Sequence, residues 1–367
     1  MTAAQAKGHH YDARLLFPTL FLVGIGIVMV YSASSALAMK KLGTDTFFLR
    51  RQAIYSAVGI VTLVACRHFP YQWFRYLTYP LLALALAALM AIPFSGLGYS
   101  AGGAARWLRF HGLTFQPVEL VRFAVIVYLA YSLSKKGNGV ERFTVGFLPH
   151  FIVFGVFAGL LLMQPDFGSV VILGALTWIL LYAGGVRFSH LTAALLLMFP
   201  VMYMGMISAE YRFKRIVSFL RPWDYPADHG YQTIHSLMAF GTGGLWGTGI
   251  GRSYQKLFYL PEPHTDFIFS VIGEELGLFG VILILVLYVV ILWRGLAIAR
   301  NARDDFGALM ALGLTAALGL QICVNTGVTL GLLPTKGLTL PFLSYGGSSL
   351  LFNMAAIGIL MNIGGEG

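Results

Sequence analysis

The chain has 367 residues, 57% of them hydrophobic and only 11% charged, with a mean hydropathy of +0.76. A soluble fold cannot hide that much apolar surface, so the two or three soluble domains that the length alone would suggest are excluded. The net charge of +10 on so apolar a background points to anionic lipid or a phosphate-bearing substrate and not to nucleic acid.

Apolar stretches at 15–37, 52–66, 76–94, 117–133, 147–163, 169–186, 190–209, 266–293, 307–332 and 343–363 predict an all-α integral membrane protein of about ten transmembrane helices. They form one polytopic domain over 1–367. Several are shorter than the ~20 residues a straight span needs and must borrow flanking residues. The first run extends to about Tyr31, beyond the roughly 7 to 15 residues of a signal-peptide core, and reads as a retained helix. The 43 glycines suit close helix packing in lipid, Cys66 and Cys323 read as packing residues, and no internal repeat supports an inverted-repeat transporter.

Ten spans put both termini on one side. Eleven Lys and Arg fall there, against seven on the other side once the long segment 210–265 is set aside, so the positive-inside rule places the termini in the cytoplasm. Segment 210–265, between helices seven and eight, then becomes a large extracytoplasmic loop. Its Trp223, Trp246, Tyr225, Tyr231, Tyr254 and Tyr259 argue for an ordered structure that packs across the bundle mouth. A short helix is expected near Tyr231 to Phe240, followed by a glycine-rich connection from Gly241 to Gly251.

Ionisable residues at membrane depth are costly and few here. Glu119 and Arg122, three apart at the start of the fourth span, share a helix face and form either a structural ion pair or part of a site. Asp266 follows Leu260-Pro261-Glu262-Pro263-His264-Thr265 and has two readings, a helix N-cap or a carboxylate placed to take a proton from a substrate hydroxyl. Glu274 and Glu275, deeper on the same helix, read as structural. Arg106, Arg109, Arg212, Lys214, Arg215, Arg252, Lys256 and Lys336 are the basic residues on the outer face, and several of them around one cavity would hold a diphosphate. Walker, dinucleotide-binding, GxSxG and HExxH motifs are absent, and no metal site is assigned.

From about residue 15 to 363 the chain resembles the SEDS family (shape, elongation, division and sporulation) of bacterial membrane proteins. The resemblance rests on Gly103-Ala104-Ala105-Arg106-Trp107, Phe115-Gln116-Pro117-Val118-Glu119-Leu120, Gln164-Pro165-Asp166-Phe167-Gly168, Tyr211-Arg212-Phe213-Lys214-Arg215 and Gly230-Tyr231-Gln232. Two longer blocks, Leu260 to Gly277 and Gly331 to Leu351, are the most specific. Pro334-Thr335-Lys336-Gly337 and Tyr31-Ser32-Ala33-Ser34-Ser35 look like the division and sporulation branch. Val118, Phe167, His235 and Phe258 depart from the usual pattern, and both tails are short.

The resemblance implies a peptidoglycan glycosyltransferase that polymerises lipid II at the outer face of the bacterial cytoplasmic membrane. A lipid II flippase and an elongation-type polymerase are the competing readings. Asp266 stands in the position of the family's essential aspartate and would be the general base. Arg106, Arg212, Arg215 and Lys336 would hold the diphosphate, with or without a divalent cation such as Mg2+ or Mn2+. Trp107 and Tyr345, with Ser344 in the same motif, would contact sugar or lipid, and Glu119 with Arg122 would line the cavity. The implied partners are a class B penicillin-binding protein transpeptidase, other division proteins and membrane lipid.

Overall fold

The computed structural model describes residues 11–366 apart from 95, 97, 102, 103, 111, 112, 208–213, 215, 216, 228, 229 and 258. Among the described residues eleven α-helices dominate: α1 (Ala13–Leu42), α2 (Phe47–His68), α3 (Phe74–Phe94), α4 (Pro117–Lys136), α5 (Leu148–Met163), α6 (Phe167–Ala183), α7 (Phe188–Ile207), α8 (Tyr231–Gly243), α9 (Ile268–Arg300), α10 (Asp305–Thr329) and α11 (Gly347–Glu366). Eight helical stretches among the described residues are long and apolar enough to cross a membrane, and α6 and the first part of α7 are shorter apolar helices. These helices overlap the apolar stretches of the sequence, though among the described residues only eight are long enough to span, against the ten expected. Unpredicted is a small antiparallel sheet between α3 and α4, with strands β1 (Gly98–Ala101), β2 (Ala104–Phe110) and β3 (Leu113–Phe115) in that order.

Helix ends follow from local chemistry. Asp12 caps α1 through Arg14 N, Asp304 caps α10 through Gly307 N, and Gly43 in the left-handed region closes α1 with its N–H on Met39 O. One end of the bundle carries the β-strands, the α5–α6 turn and the α10–α11 segment, where Arg106 meets Pro165 and Lys336 crosses Gly168. At the other, the start of α1 meets α9 through Asp12 and Arg294, and the end of α11 meets the α2–α3 turn through Asn362 and Tyr71.

Two irregular segments enter the bundle from the first end. Residues 330–346 reach inward until Phe342 and Leu343 meet Gly26 in the middle of α1. Buried backbone there needs partners, and side chains provide them. Tyr288 Oη donates to Pro341 O (2.5 Å), Gln321 Nε2 to Thr339 O (2.9 Å), and Asn325 Nδ2 to Leu338 O (2.5 Å) and Asp266 O (2.9 Å).

The second segment, α8 and the glycine-rich stretch after it, lies along α9. Gly277 interrupts α9 with φ 65° and ψ −165°, a conformation open to glycine. The broken helix leaves backbone groups free, and the neighbouring chain takes them up. Thr248 N donates to Glu274 O and Gly249 N to Glu275 O, while Leu278 N and Phe279 N donate to Gly244 O and Leu245 O, all at 2.9–3.3 Å. Side chains at Gly243 or Gly247 would collide with the carbonyls of Gly273 and Glu275, which is why this connection is glycine-rich.

Candidate active site

Asp266 sits in the turn ahead of α9, which begins at Ile268. The N-cap position belongs to Phe267, and no side chain caps the helix, so the N-cap reading of Asp266 is set aside. The half-buried carboxylate makes no hydrogen bond to the described residues, and a Cβ on Gly337 would stand 2.8 Å from its Oδ2. Burial raises its pKa to about 7, helped by Glu262 and opposed by Arg106. A base of that strength can take a proton near neutral pH.

Beside Gly337, Lys336 extends the other way over Gly168, where any side chain would collide with its Cδ and Cε. Lys336 Nζ is buried and unpartnered. Burial lowers its pKa to about 7; Arg122 and Arg106 act in the same direction, and Asp166 and Glu119 oppose them. The acidic neighbour Asp166 caps α6, accepting from Ser169 N (3.2 Å) and Ser169 Oγ (2.6 Å), and lies 4.0 Å from Arg106 Nε. Burial pushes its pKa up, but Lys336, Arg106 and Ser169 outweigh burial and hold it below the ordinary value. Arg106, on β2, donates to Pro165 O at 2.7 Å.

Glu119 and Arg122, in the first two turns of α4, form a buried ion pair at 3.2 Å, yet Arg122 Nε and Nη2 find no partner among the described residues. Arg106 Nε, although 4.0 Å from Asp166, likewise makes no hydrogen bond. Three cations with unmatched, buried donors therefore converge from β2, α4 and the α10–α11 segment. Orphaned buried donors cost ~1–3 kcal/mol each, and an anion would satisfy them.

The remaining predicted residues divide by place. Ser344 is a tie: its hydroxyl donates to Thr265 O (2.6 Å) and accepts from Leu340 N (2.7 Å), fixing the turn that carries Asp266. Tyr345 N donates to His264 O (2.9 Å), and the Tyr345 ring joins Phe48 and His264 in an aromatic wall. Burial, with Lys41, lowers the His264 pKa to about 4, so the imidazole is neutral. Trp107 lies half-buried on β2 opposite Tyr99. Arg212 and Arg215 lie outside the described residues.

Lys256 does not join the outer cations. Its Nζ is buried against Glu275 (2.7 Å) and Ser32 Oγ (3.0 Å), the pairing that a buried ammonium requires. Glu274 accepts from Ser253 Oγ, Tyr254 N and Gln255 N and so holds the 253–255 loop, and both glutamates serve structure. Asp166 was missed as a site residue, although its Gln164-Pro165-Asp166 motif was visible. Two hollows lie away from Asp266: one of about 400 Å³ lined by Trp293, Arg300 and Leu312, the other of about 500 Å³ lined by Phe21 and Leu287.

Comparison with known proteins extends this geometry. The family profile of cell cycle proteins named for FtsW, RodA and SpoVE matches residues 13–366. The probable peptidoglycan glycosyltransferase FtsW of Geobacter metallireducens is 43% identical over 353 residues, which cover 96% of this chain and 94% of that protein. Stage V sporulation protein E of Bacillus subtilis is 39% identical over 96% of each chain. Among solved structures, a chain of a peptidoglycan synthase complex that coordinates polymerization and crosslinking is 29% identical with a TM-score of 0.79, over 96% of this chain and 97% of that one. The rod shape determining protein RodA of Thermus thermophilus is 27% identical with a TM-score of 0.70, over 96% of each.

Proposed function

This chain belongs to the FtsW, RodA and SpoVE family and is a multi-pass membrane peptidoglycan glycosyltransferase, and on that footing we propose that it polymerises lipid II with Asp266 as general base. The carrying observation is the Asp266 carboxylate, free of any capping bond and packed on Gly337, whose neighbour Lys336 carries an unpartnered amine into one charge cluster with Arg106 and Arg122. The acceptor's sugar hydroxyl attacks the anomeric carbon of the donor. A C–O bond forms there as the bond to the donor's phosphate oxygen breaks, and the electron pair leaves with the diphosphate. The hydroxyl proton passes to Asp266, and the three cations stabilise the charge gathering on the leaving group. Diphosphate leaves readily, so no general acid is needed.

The site faces the outside of the bacterial cytoplasmic membrane, with segment 210–265 on the same side and both termini in the cytoplasm. No cluster of three or more metal-ligating side chains occurs among the described residues. Asp266 and nearby Glu262 could still hold Mg2+ or Mn2+ if the diphosphate oxygens and water completed the shell, as is usual for Mg2+. The similarity to FtsW supports septal synthesis, and the solved synthase complex supports a penicillin-binding transpeptidase as partner. Unpaired charge gathered at one end of the bundle suits a polymerase better than a flippase, which needs charge near the midplane.

The test is polymerisation of lipid II in proteoliposomes, read on a gel. Asp266→Asn should keep the wild-type melting temperature and lose at least ~10²-fold in rate. Polymer formed at the wild-type rate would remove Asp266 from the mechanism.

A further inference from the structure

A second group of cations stands at the same end of the bundle, on the α1–α2 hairpin. Lys41 lies in the last turn of α1, and Arg50 and Arg51 in the opening turns of α2. Lys41 and Arg50 are exposed, and none of the three has an ion pair among the described residues. The hairpin's acid, Asp45, is engaged by Tyr31 Oη at 2.9 Å. Arg51 is held in place, its guanidinium 4.6 Å from the Phe47 ring centre and within reach of the Tyr345 hydroxyl.

These cations connect to the catalytic turn. Tyr345 N bonds His264 O, two residues before Asp266, and the His264 ring lies 4.5 Å from Phe48 and 5.6 Å from Tyr345. Lys41 is close enough to help keep His264 neutral. The Asp266 turn thus has two cationic groups near it: Arg106, Arg122 and Lys336 with their buried orphan donors, and, beyond the aromatic wall, exposed Lys41 and Arg50 with half-buried Arg51.

Polymerisation from lipid diphosphates brings two such head groups together. The donor loses its diphosphate in the reaction, whereas the acceptor retains its own. We propose that Lys41, Arg50 and Arg51 bind the acceptor's retained diphosphate, while Arg106, Arg122 and Lys336 serve the donor's departing one. The assignment rests on the reading of Asp266 as base. Dry, orphaned donors are most effective where charge develops during the reaction. Exposed, hydrated cations suit a charge that is unchanged by the reaction and must move on after each addition.

The experiment uses full-length protein in vesicles, with a donor blocked at its 4-hydroxyl and a lipid-linked acceptor whose anomeric C–O–P oxygen is replaced by a methylene, so that each lipid plays one part and the two can be varied independently. Arg50→Gln with Arg51→Gln should raise the KM for acceptor about tenfold, leaving donor KM and kcat within about twofold. Lys41→Gln, a change at an exposed residue, should shift acceptor KM in the same direction by less. Equal rises in both KM values, or an unchanged acceptor KM, would overturn the proposal. The same comparison is made in phosphatidylcholine and in phosphatidylglycerol vesicles. An acceptor effect seen only with phosphatidylglycerol would mean that the cations bind bulk anionic lipid, which also overturns it. Asp266→Asn run alongside separates the two claims, since activity there defeats the base assignment whatever the hairpin variants do.

Discussion

The two ends of the bundle use the same charged residue types to opposite purposes. At the terminal end, charges and amides tie helix to helix. Asp304 takes Arg75 and the Tyr71 hydroxyl, Arg294 Nε meets Asp12 at 2.5 Å, and Asn362 spans Tyr71 N and Arg67 O. At the catalytic end, Lys336 Nζ, two nitrogens of Arg122 and the Asp266 carboxylate have no hydrogen-bond partner among the described residues. Satisfied charges fix the architecture, while unsatisfied ones forgo stability that a bound anion restores.

That contrast can be broken by substitution. Lys336→Met should cost the most activity, about 10²- to 10³-fold, because it removes a donor to the leaving group. Its melting temperature should stay level or rise, since a buried unpaired amine is lost. A large fall in melting temperature with activity retained would make Lys336 structural. Glu119→Ala leaves Arg122 buried without its carboxylate and should destabilise by about 3–5 kcal/mol in thermal unfolding. Asp304→Ala, at the other end, removes a helix cap and two partners; about 1–2 kcal/mol of stability should go, with turnover per folded molecule unchanged. Arg187→Gln breaks a pair whose side chains are 61% and 59% exposed, and should cost less than ~1 kcal/mol.

Titration sharpens the same comparison. Asp266, with a pKa of about 7, acts as a base only when ionised, so kcat/KM should climb as pH rises through neutrality. Lys336, also near 7, attracts diphosphate only when protonated, so the climb should turn into a fall above that point. Lys336→Arg keeps its charge throughout and should flatten the alkaline limb while leaving the acid limb in place.

Much of this was legible in the residues. Uninterrupted apolar runs located the helices because lipid imposes one simple requirement, and Asp266 stood out as a charge beside a span. The three-stranded sheet was not legible, because 98–115 is short and its glycines and aromatics carry no clear two-residue period. The depth of 330–346 was hidden as well: Gln321, Asn325 and Tyr288 look like ordinary polar residues within helices until the backbone they serve is seen. Lys256 misled for the complementary reason, since its partners Glu275 and Ser32 lie 19 and 224 residues away in sequence.

The interruption at Gly277 has a mechanical consequence. The nine residues from Ile268 to Leu276 are clamped to the 243–249 stretch, so the pitch of the long shaft below does not determine where the reactive carboxylate points. One residue inserted into the shaft would rotate everything beneath it by ~100°, yet leave Asp266 aimed as before. A bulky residue at Gly247 would unseat the clamp and swing the reactive turn away while the shaft stayed in place.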